Sequence, residues 1–429
     1  MRHPRQMAAE ALLAVYAGAH AQEVLQRRLA QLPEKERQLG ADLVYGVLRQ
    51  RIRLAHILGQ VLARPGKLPP LMLVLLELAA YSLFLQSGAP DYAILNETVK
   101  LIKKNSGQRL ANVANGALRS LVKLAPQIAN MDWYGANGQS LFYAMPGEIA
   151  SIWRSAYGAA AANALMARSQ ARPWSGVRVN LRHPDGEPIL RALLAQPCAQ
   201  QIANAGAAFP PGKMPVSVLG KPVSELAAQG ALSLQAAGSQ LILRELGLYP
   251  DWQGAPIWDS CAGIGGKSAV LLENGLDVVL ATDLNLKRLA RLPGECQRLG
   301  LNAPMLAQAD AAAAPLANWQ GNILIDAPCS GLGVLSRRPD IKMRFGARKL
   351  AELVAIQKRI LAGACALLAP GAELAYLTCT LNPAENEQQI APLLARGLEL
   401  VAEWQTPHDH PWLEGMYGAR LRKKSALSG

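Results

Sequence analysis

The chain has 429 residues, 51% hydrophobic but only 5% aromatic, and a formal charge of +13. That length is enough for two or three domains rather than one core, and the charge points to a polyanionic partner, nucleic acid above all. Its six cysteines are widely spaced, with no C-x-x-C and no nearby histidine pair, which argues against a zinc site, so no metal is expected.

Residues 1–125 carry apolar side chains at helical spacing in successive segments, from "RQMAAEALLAVYAGA" through "ERQLGADLVYGVLRQ" to "GQRLANVANGALRSLVKL". The opening "MRHPRQMAAEALLAVY" lacks the apolar core and cleavage site of an export signal. A cytoplasmic, reducing compartment is therefore expected, without structural disulfides. The most apolar stretch, "LMLVLLELAAYSLFL" (71–85), is short for a membrane span and contains Glu77, which predicts a buried core helix and no membrane partner. Basic residues cluster at Arg49, Arg51 and Arg53, at Lys100, Lys103 and Lys104, and at Arg119. Each cluster alone reads as a solvated face; together with the global charge they predict an RNA-facing surface.

Residues 126–150, with Pro, Gly, Asn and Trp but no periodicity, read as a linker. Residues 151–250 read as a small mixed α/β subdomain, with "GVRVNLR" (176–182) as a strand, "LAAQGALSLQ" (226–235) ending in one, and "QLILRELGL" (240–248) as a helix. Over 251–429 short apolar strands alternate with amphipathic helices: "APIWDS", "DVVLATD", "APMLAQAD", "GNILIDAP" and "AELAYLTC". That alternation predicts a Rossmann-like α/β domain built on a mostly parallel sheet, with ligands beyond the carboxyl ends of the strands.

Between the first of these strands and its helix lies "DSCAGIGGKS" (259–268). Cys261 occupies the position where a P-loop needs its first glycine, and Ser268 stands where a dinucleotide fingerprint needs its third. What remains is a glycine-rich turn that lets a ligand approach backbone at a helix start. Asp283, Asp310 and Asp326 end the next three strand segments. Any one of them could cap a turn. In register with the glycine loop they suit a ligand with a ribose, an adenine amine and a cationic amino-acid group, a description that fits S-adenosylmethionine better than the pyrophosphate of NAD.

Two cysteines lie at strand ends, Cys329 in "DAPCSGLG" and Cys379 in "LTCTLN". With a methyl donor and a nucleic-acid partner, a thiolate there has a specific task. Carbon 5 of cytosine is a poor nucleophile, and addition of sulfur at carbon 6 activates it. The base must first leave any stack. Asp326 is placed to hydrogen-bond the N3/N4 edge of the ring. Residue logic leaves open which thiol adds, or whether either is simply packed; Cys198, Cys296 and Cys365 read as packed.

"DAPCSGLGVLSRRPDIK" (326–342), "LTCTLNPAENE" (377–387) and "CAGIGGK" (261–267) resemble the signature blocks of the RNA cytosine-5 methyltransferases. "APDYAILNETV" (89–99) and "NVANGALR" (112–119) resemble the all-α NusB-like RNA-binding domain. The resemblance covers nearly the whole chain and is closest to the bacterial branch acting on 16S rRNA. It implies Cys379 as nucleophile and Cys329 as the thiol that helps release product. It also implies a donor site of Cys261, Ala262, Gly263, Ile264, Gly265, Gly266, Lys267, Asp283, Asp310 and Asp326. The implied substrate is one cytosine of 16S rRNA, the 967 site, free or in a small-subunit assembly intermediate. A monomer is expected. The same chemistry on tRNA, or a non-catalytic RNA-binding assembly factor, are the alternatives. Three stretches depart from the family pattern. Gly263-Ile264 replace Ala-Pro in the loop, Ala236 stands where an acidic residue follows the glutamine, and "EGMYGARL" (414–421) is less aromatic.

Overall fold

A computed structural model describes residues 3–86, 88–130 and 141–424. The chain forms two compact units. The first comprises Met1–Ser155, Leu165–Gln170 and Leu335–Phe345, and the second Ala156–Ala164, Ala171–Val334 and Gly346–Gly429.

The first unit is helical, with α1 (Pro4–Tyr16), α2 (Ala21–Leu29), α3 (Glu34–Gly59), α4 (Pro70–Phe84) and α5 (Asp91–Ala129), the last broken at Gly107. Leucines and alanines fill its core, and small residues let the helices approach closely. A Cβ on Gly46 of α3 would lie 2.1 Å from the Tyr81 ring of α4, so only glycine fits there. Glu77 is 4% exposed within the apolar α4 and accepts a 2.7 Å bond from the Tyr16 hydroxyl. Burial raises its carboxyl above the usual range. The stretch 71–85 is thus a core helix, and among the described residues no helix is long and apolar enough to cross a membrane.

The basic clusters divide. Lys100, Lys103, Lys104 and Arg119 are exposed on α5. Arg49 is buried and donates to the Ser336 carbonyl at 3.0 Å, and Arg53 donates to the Phe142 carbonyl. These two guanidinium groups bind backbone of their own unit, which corrects the expectation that they face RNA. Of the segment read as a linker, residues 131–140 lie outside the described residues, and a helix, Gly147–Gln170, starts within its last turn and bends at Gly158.

In the second unit, β1 (Ser175–Val179), β2 (Gln200–Ile202), β3 (Gly206–Phe209) and β6 (Leu232–Leu234) form an antiparallel sheet in the order β2-β3-β1-β6. A hairpin of β4 (Ser217–Val218) and β5 (Lys221–Pro222) accompanies it. The larger sheet contains β7 (Pro256–Asp259), β8 (Asp277–Asp283), β9 (Met305–Gln308), β10 (Asn322–Asp326), β11 (Glu373–Thr378), β12 (Leu398–Gln405) and β13 (Tyr417–Lys423), ordered β12-β13-β11-β10-β7-β8-β9. The five strands from β7 to β11 are parallel to one another. Their central members are nearly continuous apolar runs, as burial on both faces requires. β13 joins β11 antiparallel and β12 covers the edge; the sequence pattern singles out neither strand.

Two of the departures from the family pattern meet in this unit. Helix Ala237–Glu245 begins after Ala236, which has no side chain to cap it. The Glu414 carboxylate supplies the missing acceptor, taking a 2.9 Å bond from Gly238 N in a buried setting. Glu414→Ala is expected to lower stability by about 1–2 kcal/mol, the usual worth of a lost cap, seen as a lower urea midpoint at unchanged m-value.

Candidate active site

Chain direction sets the location of the site. From β7 the sheet grows through β8 to β9 on one side, then returns to β10 and β11 on the other. The crevice beyond the carboxyl ends of β7 and β10 is therefore the topological switch point, where ligands of open α/β sheets bind. The 261–267 loop, Asp326 and both strand-end cysteines gather there.

The glycine loop owes its shape to residues without a Cβ. Gly265 has φ +83°, and a Cβ on it would lie 2.1 Å from Leu292 Cδ1. The loop leads directly into helix Gly266–Glu273. Gly263 N donates to Asp283 Oδ2 at 2.8 Å, which ties the loop to the tip of β8. The half-exposed Ile264 and the exposed Leu284 flank this corner with apolar surface. From the small sheet, buried Arg178 donates to Gln235 Oε1 at 2.6 Å and pairs with Glu273 at 2.7 Å, while Gln235 donates to the Gly266 carbonyl at 3.1 Å. The subdomain thus braces the start of the loop's helix.

Lys267 turns inward. Its ammonium lies 2.5 Å from Asp326 Oδ2. Burial alone would lower its pKa, but the Asp326 carboxylate outweighs burial and holds it above the usual lysine value. Asp259, at the tip of β7, is 1% exposed and accepts a 2.5 Å bond from Ser268 Oγ. Burial raises its pKa to about 7, with the Asp326 charge adding and the Ser268 bond opposing. β9 stops at Gln308, so Asp310 stands two residues past the strand rather than at its end. Its carboxylate closes a turn onto Ala312 N at 2.9 Å and pairs with Arg359 at 3.1 Å.

The two thiols meet because β10 and β11 are parallel and in register, Asp326 opposite Leu377. Cys329 and Cys379 follow those positions, and their sulfurs are 3.2 Å apart. Two backbone bonds stitch the loops together, Ala327 N to the Leu377 carbonyl at 2.9 Å and Gly333 N to the Cys379 carbonyl at 3.1 Å. A hydrogen bond from the Cys329 thiol holds Cys379 below the usual thiol range against the opposing effect of burial, and the Lys267 ammonium adds to the lowering. That same bond, with burial and the Glu385 charge, pushes Cys329 well up. The hydrogen bond between the thiols thus favours Cys379 as the more acidic of the two, with Lys267 lowering it further against the opposing charges of Asp326 and Glu385. Cys261 is partly covered, and burial raises its thiol far above the reactive range. Cys296 is fully buried, and Cys198 and Cys365 pack against apolar clusters.

Matches to known proteins follow the same division. Residues 248–410 match the model for the 16S rRNA methyltransferase RsmB/F family, and residues 2–123 that of the NusB family. The chain is 31% identical to the ribosomal RNA small subunit methyltransferase B of Pseudomonas putida, with 100% of each chain covered. The chain belongs to that family. It is also 30% identical to the probable ribosomal RNA small subunit methyltransferase B of Synechocystis sp., over 85% of this chain and 82% of that one. The solved structure of PH0851 superposes with a TM-score of 0.75 at 18% identity, covering 99% of both chains, and so shares the fold. The methyl donor of this methyltransferase family is S-adenosylmethionine. The residues present fit it: a glycine loop open to a ligand, strand-tip carboxylates for hydroxyl and amine groups, and apolar side chains beside them.

Several participants have little signal in the sequence. Lys267 is marked there only as part of the donor loop, yet it partners Asp326. Asp259 stands at the edge of that loop with nothing to distinguish it. Glu385, Asn382 and Gln357 bind around the cysteine loops; the first two lie inside "LTCTLNPAENE", while Gln357 sits on a helix with nothing in its spacing to mark it.

Asp259 makes stability depend on pH. Its folded pKa lies above the ordinary aspartate value, so its contribution is full below about 4 and is lost as pH rises through about 7. Asp259→Asn is expected to flatten the stability profile between those limits, where the native protein loses on the order of a few kcal/mol. Urea titrations at a series of pH values check this.

Proposed function

We propose that the protein transfers a methyl group from S-adenosylmethionine to carbon 5 of a cytosine in small-subunit rRNA, through a covalent adduct of Cys379 at carbon 6. The observation that carries this reading is the thiol pair, 3.2 Å apart at neighbouring strand tips, beside the Lys267–Asp326 ion pair. S-adenosylmethionine supplies an electrophilic methyl group. The Cys379 thiolate adds to carbon 6, and carbon 5, now electron-rich, takes the methyl. The carbon 5 proton then passes to a base or water, its bonding pair restores the C5–C6 double bond, and the Cys379 sulfur leaves with the carbon–sulfur pair. Cys329, already hydrogen-bonded to Cys379, is placed to stabilise or protonate the departing sulfur, which gives the release role a geometric basis. Asp326, paired with Lys267, accepts from the exocyclic amine of the cytosine.

In this reading residues 1–125 bind RNA, 126–150 link, 151–250 brace the donor loop and 251–429 carry the chemistry. The donor is held by the 261–267 loop with Asp283, Asp310 and Asp326. The 967 position of 16S rRNA is the proposed target. Bisulfite mapping of rRNA and tRNA from cells with and without the gene tests this; loss of 5-methylcytosine from a tRNA instead would reassign the substrate.

Cys379→Ala is expected to abolish methyl transfer while donor binding persists. Cys329→Ala is expected to trap the protein on RNA, visible as a slower band on a denaturing gel after incubation with donor and RNA. A band from the first variant and none from the second would reverse the assignment. The exposed α5 lysines are proposed to neutralise phosphates. Lys103→Glu with Lys104→Glu should weaken RNA binding and reduce the salt slope by about 1 for each phosphate no longer neutralised.

A further inference from the structure

The most connected side chain near the two thiols is neither of them. Glu385 is fully buried, yet its carboxylate touches both cysteine loops. Oε1 accepts from Ser330 N at 2.7 Å and from Gln357 Nε2 at 3.1 Å. Oε2 accepts from Ser330 Oγ at 2.5 Å and from Asn382 Nδ2 at 3.0 Å. An ionised carboxylate has about four lone-pair sites, and four donors fill them. The network continues on either side. Ser330 Oγ lies 2.9 Å from Thr380 Oγ1, and Gln357 also donates to the Pro328 carbonyl at 2.9 Å. The residues on both sides of Cys329, and one neighbour of Cys379, are therefore held by this one acid or its immediate partners. The Tyr376 hydroxyl fixes the acid's own backbone through a 2.8 Å bond to the Glu385 carbonyl.

We infer that Glu385 is the positioning residue that keeps the Cys329 thiol against Cys379, so that one loop can act on the sulfur presented by the other. The inference rests on the cysteine roles proposed above. All four donors are neutral groups, and the bonds they make to a charged acceptor are stronger and shorter than neutral ones. A glutamine in this place has the same size but the wrong pattern. Either end of its amide would turn an N–H₂ toward a donor, Gln357 and the Ser330 N–H on one side or Asn382 on the other. The Ser330 loop, which carries Cys329, is then free to move away.

The test is the pH profile of Cys379 alkylation by iodoacetamide, followed on its peptide by mass spectrometry, alongside kcat and KM. In Glu385→Gln the midpoint for Cys379 is expected to rise, because the Cys329 hydrogen bond that holds it down is lost. In the same variant kcat is expected to fall by about 10- to 100-fold, the cost of misplacing a reacting group by an ångström or less, with KM for RNA nearly unchanged. Ser330→Ala removes one donor and leaves the rest, so it is expected to move both quantities in the same direction by less. It carries the test if the glutamine variant does not fold. A midpoint that falls would mean that only a negative charge had been removed, and an unchanged midpoint that the acid merely supports the fold; either result overturns the inference. Cys329→Ala separates this from the underlying reading. If that variant traps RNA while Glu385→Gln behaves as the native protein, the positioning role fails alone. If it traps nothing, the cysteine roles fail first.

Discussion

Parallel pairing of β10 with β11 is the constraint on which the site depends. Parallel neighbours end at the same edge of a sheet, so the loops after them leave side by side. Residues fifty positions apart in the chain then become neighbours at the tip, and two thiols far apart in sequence become a hydrogen-bonded pair. The long helix Ala347–Leu367 provides the crossover that parallel pairing demands. Its fully buried Gln357 reaches back to the Pro328 carbonyl, so the connection also becomes part of the site's wall.

Electrostatics then separates two chemically identical groups. In isolation neither cysteine has a claim to be the thiolate. The hydrogen bond from Cys329 breaks the symmetry, lowering Cys379 and raising Cys329, and the Lys267 ammonium lowers Cys379 further against the Asp326 charge. The same lysine pairs with the Asp326 carboxylate and lowers the Cys379 thiol, linking the region proposed for the donor to that proposed for the base. Asp259 adds a carboxyl that burial leaves close to neutral, which limits the negative charge collected around the lysine.

Much of this is legible in the residues. Strand–loop–helix alternation and the helical spacing of the first 125 residues carry the fold classes, since each reports a periodicity that burial imposes. The strand-tip positions of Asp283 and Asp326 follow from where apolar runs stop. That of Asp310 does not, because the run "APMLAQAD" is weakly apolar and its last residues turn away toward Arg359. Arg49 and Arg53 mislead for a related reason. A basic residue on a helix looks solvated until the carbonyls that bind it, at Ser336 and Phe142, come from distant sequence. Glu414 acting as the cap that Ala236 lacks is equally non-local, and two departures that look independent in sequence complement one another in space.

The helical unit is not finished where its helices end. Its interior includes Leu335–Phe345, where buried Lys342 donates to the Arg49 and Ala144 carbonyls and burial lowers its pKa to about 7. During synthesis those carbonyls wait for a partner encoded about 190 residues downstream of Ser155, a delay of about 10–40 s at ordinary translation rates. The first unit to emerge is therefore among the last to be completed, and its final piece arrives on the same stretch of chain that has just delivered Cys329.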